Sequence, residues 1–194
     1  AASAGKVIDV IVWPESMFTG SLPWLLLDPP SPSSSSANGS AIDPELVAII
    51  KDNQEAFQRR GAQIQAAIRQ ITGQPHDPHL IVGCGVVRYN DPPQAYSGIV
   101  HLGEKGKVLD WYGKTHLVMF GEYIPLIEYL TFLHRIVPPG MGVSRGEGAK
   151  SFPVSDVGLV PNICIDTAVE RVAPRHVAEL MKQVQTAEAI VNVT

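Results

Sequence analysis

The spacing of apolar residues changes several times along this chain, and each change marks an element. Val7 to Trp13 is a short β-branched run that stops at Pro14, the pattern of a buried strand. Leu22 to Leu27 is apolar without a periodic partner, and reads either as buried packing or as the lip of an apolar substrate entrance. Between residues 28 and 43 the pattern dissolves into Pro, Ser, Asn and Gly, which cannot bury apolar area, so a mobile loop is expected there. Asp43 and Pro44 then supply a helix N-cap and a first helical residue. Leu46, Ile50, Phe57, Ile64, Ile68 and Ile71 follow at steps of four, seven, seven, four and three, one face of a long helix that Gly73 stops. Lys51, Asp52, Glu55, Arg59 and Arg60 fill the opposite face, so this helix is expected to lie on a sheet.

Strand patterns come next, over His79 to Arg88, Ala95 to Leu102 and Val108 to Tyr112. Asp91-Pro92-Pro93 separates the first two, and residues 103–107 make a hairpin turn before the third. Leu126 to Ile136 has the composition of a short helix, and a glycine-rich loop runs from Pro138 to Gly148. Ser151 to Val154 and Gly158 to Cys164 form a second hairpin around Asp156. A helix is expected from Pro174 to about Gln185, and a β-branched strand from Ala189 to Thr194. Helices alternating with strands, some joined by hairpins, indicate an α/β layered domain with mixed sheets.

Composition narrows the class of function. With 194 residues and 45% hydrophobic content the chain is long enough for one domain with a sizeable core. A net charge of -4 gives no reason to expect nucleic acid as a partner. No apolar run approaches the roughly 20 residues of a membrane span. Two cysteines do not make a disulfide framework. Cys84 sits inside a strand pattern, where Cys acts as a small apolar filler, whereas Cys164 is followed at once by polar, turn-forming residues.

The densest chemistry lies in Tyr112-Gly113-Lys114-Thr115-His116-Leu117-Val118-Met119-Phe120-Gly121-Glu122-Tyr123-Ile124-Pro125. Two further stretches, Trp13-Pro14-Glu15 and Asn162-Ile163-Cys164-Ile165-Asp166, each place a reactive group just after a strand pattern. A carboxylate, an ammonium and a thiol at three strand ends make a candidate acyl-transfer set. In it, Glu15 would move the proton of the thiol, Lys114 would stabilise an oxyanion, and Cys164 would be the nucleophile. Asp166 to Glu170 has a Thr-x-x-Glu capping pattern, whose free amides would favour a thiolate nearby.

These residues resemble the nitrilase superfamily, whose members use a Glu-Lys-Cys triad, and within it the family of apolipoprotein N-acyltransferases. The resemblance covers Val7 to Thr194 and implies an αββα sandwich with Glu15, Lys114 and Cys164 as the triad. It further implies that Glu122 lines the site, with Tyr123, Ile165 and Asp166 beside the substrate or behind the triad. The implied reaction moves an acyl chain from a phospholipid onto Cys164 as a thioester, then onto the N-terminal amine of a diacylglyceryl-modified apolipoprotein. No metal and no cofactor is implied. The implied location is a bacterial inner membrane, with this domain on the extracytoplasmic side. Residues 1–194 would be a partial catalytic domain, truncated at both ends, because the family has further strands and membrane helices; such a fragment alone is expected to be inactive. The chain departs from the family in carrying Ile165-Asp166 where Tyr-Glu is usual, and Met119 where Pro is usual.

A soluble nitrilase-type amidase or carbamoylase would use the same triad and pass the acyl group to water. A catalytically silent binding module is the third class. The motif around Glu122 and the apolar stretch Leu22 to Leu27 favour the acyltransferase. The histidines at 76, 79, 101, 116, 134 and 176 do not repeat at metal-ligand spacing, and only His116, close to Lys114, is a candidate to orient a site carboxylate. Trp24, Trp111 and Tyr123 are residue types more often found in packing than as substrate platforms, and Arg175 and Lys182 are expected on a solvated helix face.

Overall fold

In the computed structural model the described residues are 7–14, 18, 22–28, 43–89, 93–117, 143–164, 169, 171–183 and 187–193. Most of the Pro/Ser-rich stretch lies outside them, as do the helix expected at 126–136 and the site candidates Glu15, Glu122, Tyr123, Ile165 and Asp166.

The first sheet has five strands: β1 (Val10–Trp13), β2 (Trp24–Leu27), β3 (His79–Tyr89), β4 (Gln94–Leu102) and β5 (Val108–Gly113). β3, β4 and β5 form an antiparallel meander, while β1 and β2 both run parallel to β3. β1 pairs with residues 79–82 of β3 and β2 with residues 86–89, so two short strands share one edge of a long one. Trp24–Leu27 of the Leu22 to Leu27 stretch is therefore strand, and Trp24 and Leu25 are buried. β1 departs from the expected buried strand: Val12 is exposed and its neighbours are half-buried, because β1 occupies the sheet edge.

The second sheet contains β6 (Phe152–Val154), β7 (Val157–Ile163) and β8 (Ala189–Val193), in that order. β6 and β7 form the expected hairpin, and β8 lies parallel to β7. Ile81, Ile99 and Tyr112 of the first sheet pack against Phe152, Leu159, Ile163 and Val193 of the second, so one core fills the space between the sheets. The alternation of side chains along a strand sends Leu80, Val82, Cys84 and Val86 to the other face of β3, where Phe57 of the long helix covers them.

That helix, α1 (Pro44–Thr72), begins and ends where local chemistry dictates. The Asp43 carboxylate accepts the Glu45 N–H at 2.9 Å, and Gly73 closes the helix at φ 71°, a left-handed conformation that costs glycine little. Ile50 and Phe57 are buried as the spacing requires, but Ile71 is 77% exposed, one turn beyond the sheet it was expected to cover. Gln65 takes a core position instead. Its Nε2 donates to the carbonyls of Pro78 and Gly103, each at 2.8 Å, and its Oε1 accepts the Gly106 N–H at 2.7 Å. One buried amide thus fixes α1 to the approach of β3 and to the β4–β5 turn.

The last helix, α2 (Val172–Lys182), starts two residues before Pro174, which sits in its first turn where a missing N–H costs nothing. Its buried residues are His176 and Leu180. His176 meets Asn162, which the pleat of β7 turns away from the inter-sheet core, so α2 lies on the outer face of the second sheet. The layers run α1, first sheet, second sheet, α2: the αββα sandwich expected from the sequence.

Candidate active site

Lys114 and Cys164 each follow immediately on a strand, β5 and β7 respectively. The Lys114 amide donates to the Ser97 carbonyl at 2.9 Å, which continues the β4–β5 ladder past the end of β5. The pleat therefore turns Lys114 to the same side as Tyr112, between the sheets, and the residue is only 2% exposed. An ammonium so enclosed presents a charge that solvent screens weakly, as an oxyanion stabiliser requires.

The Lys114 carbonyl accepts the Gly146 N–H at 2.8 Å, so residues 143–150 brace this turn from outside. A side chain at Gly146 would meet the Gly113 carbonyl oxygen at 2.0 Å, so only glycine allows that approach.

Cys164 is exposed, and its φ of 49° puts a non-glycine residue in the left-handed region. That conformation carries a local backbone cost for a residue with a side chain. Cys84 is its opposite: buried against Trp24 and α1, with its thiol pushed up to about 12 by burial. Cys84 is packed, as its place in a strand pattern led us to expect, and Cys164 is exposed.

A chain of side chains connects the two segments. The Asn162 amide oxygen lies 3.1 Å from His176 Nδ1, and because that oxygen can only accept, Nδ1 carries the proton. His176 Nε2 lies 3.0 Å from the Thr115 hydroxyl, and the Tyr112 hydroxyl lies 3.2 Å from the same Thr115 oxygen. Tyr112 and Thr115 flank Lys114, and Asn162 stands two residues before Cys164. The strand ends that carry the ammonium and the thiol are thus held in register by His176. Its ring also meets Tyr112 edge-on at 6.0 Å.

Of the residues singled out from sequence, the structure brings the Lys114 and Cys164 segments to this one network. Glu15, Glu122, Tyr123, Ile165 and Asp166 belong to the undescribed part of the chain. His116 is half-buried and borders a cleft instead of joining the network. Sequence reasoning passed over Tyr112, Thr115, Asn162 and His176. The available signal was the spacing of two: Tyr112 shares a strand face with Lys114, and Asn162 precedes Cys164 by the same step.

The cleft, of about 450 Å³, opens beside Thr115 and His176, and its other walls include Arg145, Glu147, Arg171, Arg175 and Glu179. Among the described residues, no group of three or more His, Cys, Asp or Glu side chains is placed to hold a metal ion, and no helix is long and apolar enough to cross a membrane.

The whole chain aligns with an apolipoprotein N-acyltransferase of Rhodopirellula baltica at 38% identity and, over 99% of its length, with one of Rhizobium rhizogenes at 27%. It spans 35% and 29% of the length of those curated relatives. No family model matches the chain. Among solved structures, a carbon-nitrogen hydrolase from Helicobacter pylori superposes on 96% of this chain and 48% of its own, with a TM-score of 0.50 at 12% identity. By sequence, then, this chain belongs to the family of apolipoprotein N-acyltransferases, as a segment of its members' length, and its fold is that of a carbon-nitrogen hydrolase.

Proposed function

We propose that this chain carries the acyl-transfer centre of an apolipoprotein N-acyltransferase, within a larger protein whose membrane helices bring lipid to it from the extracytoplasmic side. The observation that carries the reading is the pairing of an enclosed Lys114 with an exposed, left-handed Cys164 at two strand ends tied through His176. In the first step the Cys164 thiol gives its proton to Glu15, and the thiolate attacks the ester carbonyl of a phospholipid. The oxyanion that forms is stabilised by Lys114 and a backbone amide after Cys164. Collapse breaks the ester C–O bond, and the lysophospholipid leaves as an alcohol with the proton held by Glu15. In the second step the α-amine of a diacylglyceryl-modified apolipoprotein attacks the thioester. Glu15 takes a proton from the amine and returns it to the departing Cys164 sulfur, leaving an amide. Glu122, with Tyr123, Ile165 and Asp166, is assigned to the walls of the same site.

The full-length protein, incubated with phospholipid and digested, should yield a thioester adduct on the Cys164 peptide by mass spectrometry. Cys164→Ala should abolish the adduct and Cys84→Ala should leave it intact. An adduct on Cys84 would overturn the assignment. Steady release of free fatty acid, with no transfer to an apolipoprotein amine, would favour a hydrolase with the same triad.

A further inference from the structure

The cleft beside His176 gathers more positive charge than the chain as a whole predicts. Arg145 enters it from the segment that braces Lys114, while Arg171 and Arg175 come from the start of α2, four residues apart and so on one helix face. The chain carries a net charge of -4, so three guanidiniums around one 450 Å³ space do not follow from general basicity. Two carboxylates share the walls. Glu147 is bound to Arg88, which also holds Asp28 at 2.6 Å, so its charge is already committed. Glu179 is the other. Among the described residues no ion pair engages Arg145, Arg171 or Arg175, and all three are exposed.

Arg145 is also oriented. Its Nε donates to the Thr115 carbonyl at 2.6 Å, which holds the guanidinium against the segment carrying Lys114. A guanidinium has five donors, and among the described residues no partner engages the Arg145 terminal nitrogens, which face the cleft as anion donors. Three such groups outnumber the one uncommitted carboxylate of the walls, Glu179, and their planar forks match a phosphate's paired oxygens.

We propose that this cleft seats the phosphodiester of a phospholipid headgroup, with Arg145, Arg171 and Arg175 as its donors. That the bound phosphate belongs to a lipid rests on the acyl-transfer reading of Cys164; that the cleft binds a phosphate ester does not. The cleft shares Thr115 and His176 with the network between the Lys114 and Cys164 segments, so a headgroup held here adjoins that network. Arg175, assigned from sequence to a solvated helix face, acquires a ligand in this account.

The test uses the full chain carrying Cys164→Ala, so that binding is read without acylation. It is titrated with short-chain phosphatidylglycerol below its micelle concentration and, separately, with glycerol 3-phosphate. Both should bind saturably and compete. The double variant Arg171→Gln/Arg175→Gln should weaken both at least tenfold, and Arg145→Gln, on a different segment, should weaken them in the same direction. Arg59→Gln/Arg60→Gln, on the outer face of α1, should change neither. Equal losses in that control pair, or none in the cleft variants, would overturn the site. Binding of glycerol 3-phosphate without the lipid would overturn the headgroup assignment and leave a site for a soluble phosphate ester. Absence of the Cys164 adduct in the full-length protein, with cleft binding intact, would count against the acyl-transfer reading alone.

Discussion

At the scale of single residues, the backbone of Cys164 separates two roles that a simple alanine substitution would confound. A left-handed conformation costs a side-chain-bearing residue about 1–2 kcal/mol and glycine almost nothing. Cys164→Gly should therefore be more stable than Cys164→Ala by about 1 kcal/mol, partly offset by glycine's greater unfolded-state entropy, while both lose the thioester. Urea midpoints of the two variants check this, and a less stable glycine variant would show that the strain is absent. His176 offers a second case. Replacing it with Leu leaves the buried Asn162 Oδ1 without its His176 partner, a loss of about 1–3 kcal/mol, while the half-buried Thr115 hydroxyl keeps Tyr112. His176→Leu should also slow acylation of Cys164 in the full-length protein, because the two strand ends lose their tie; unchanged acylation would reduce His176 to a packing residue. Periodicity shows only that Tyr112 and Lys114, and Asn162 and Cys164, stand two residues apart; it does not show that they meet. The network's members come from β5, β7 and α2, and only the folded chain brings them within hydrogen-bond reach.

At the scale of elements, what was legible in the sequence was what local chemistry controls. Asp43, Pro44 and Gly73 bound α1 because a cap bond and a left-handed stop are decided within a few residues. The β3–β4–β5 meander was equally plain, since short turns join its strands. β2 was not recognised because Trp24-Leu25-Leu26-Leu27 has no alternation, and its pairing with Val86 to Tyr89 spans the whole of α1. Gln65 was invisible for a related reason: a polar residue on the apolar stripe reads as a break until its three backbone partners are seen. Gln65→Leu keeps the volume and removes all three bonds, so it should destabilise the fold on the order of 3 kcal/mol or more. Thermal unfolding is a direct check, and a neutral result would mean that the β4–β5 turn docks on α1 by shape alone.

At the scale of the whole molecule, acid should loosen the join between the sheets. His101 is buried, stacked on Phe152 of the second sheet at 5.1 Å, with its Nε2 2.8 Å from His79 Nδ1. Burial, and then the neighbouring His79, lower His101 to about 4, and burial lowers His79 as well despite Glu104 and Asp9. A histidine depressed in the folded state leaves the unfolded chain holding more protons below its ordinary value of 6.5. Its stabilising contribution is therefore complete above about pH 6.5 and is lost as the pH falls toward 4. Urea midpoints should decline across that window, and His101→Phe should flatten the slope. The buried Cys84 allows the same opening to be timed. A thiol raised to about 12 and enclosed between α1 and the first sheet is inert to alkylating reagents until that layer parts. In a Cys164→Ala background, Cys84 becomes an internal clock: as reagent is increased, its modification rate should level off at the rate at which α1 lifts from the sheet.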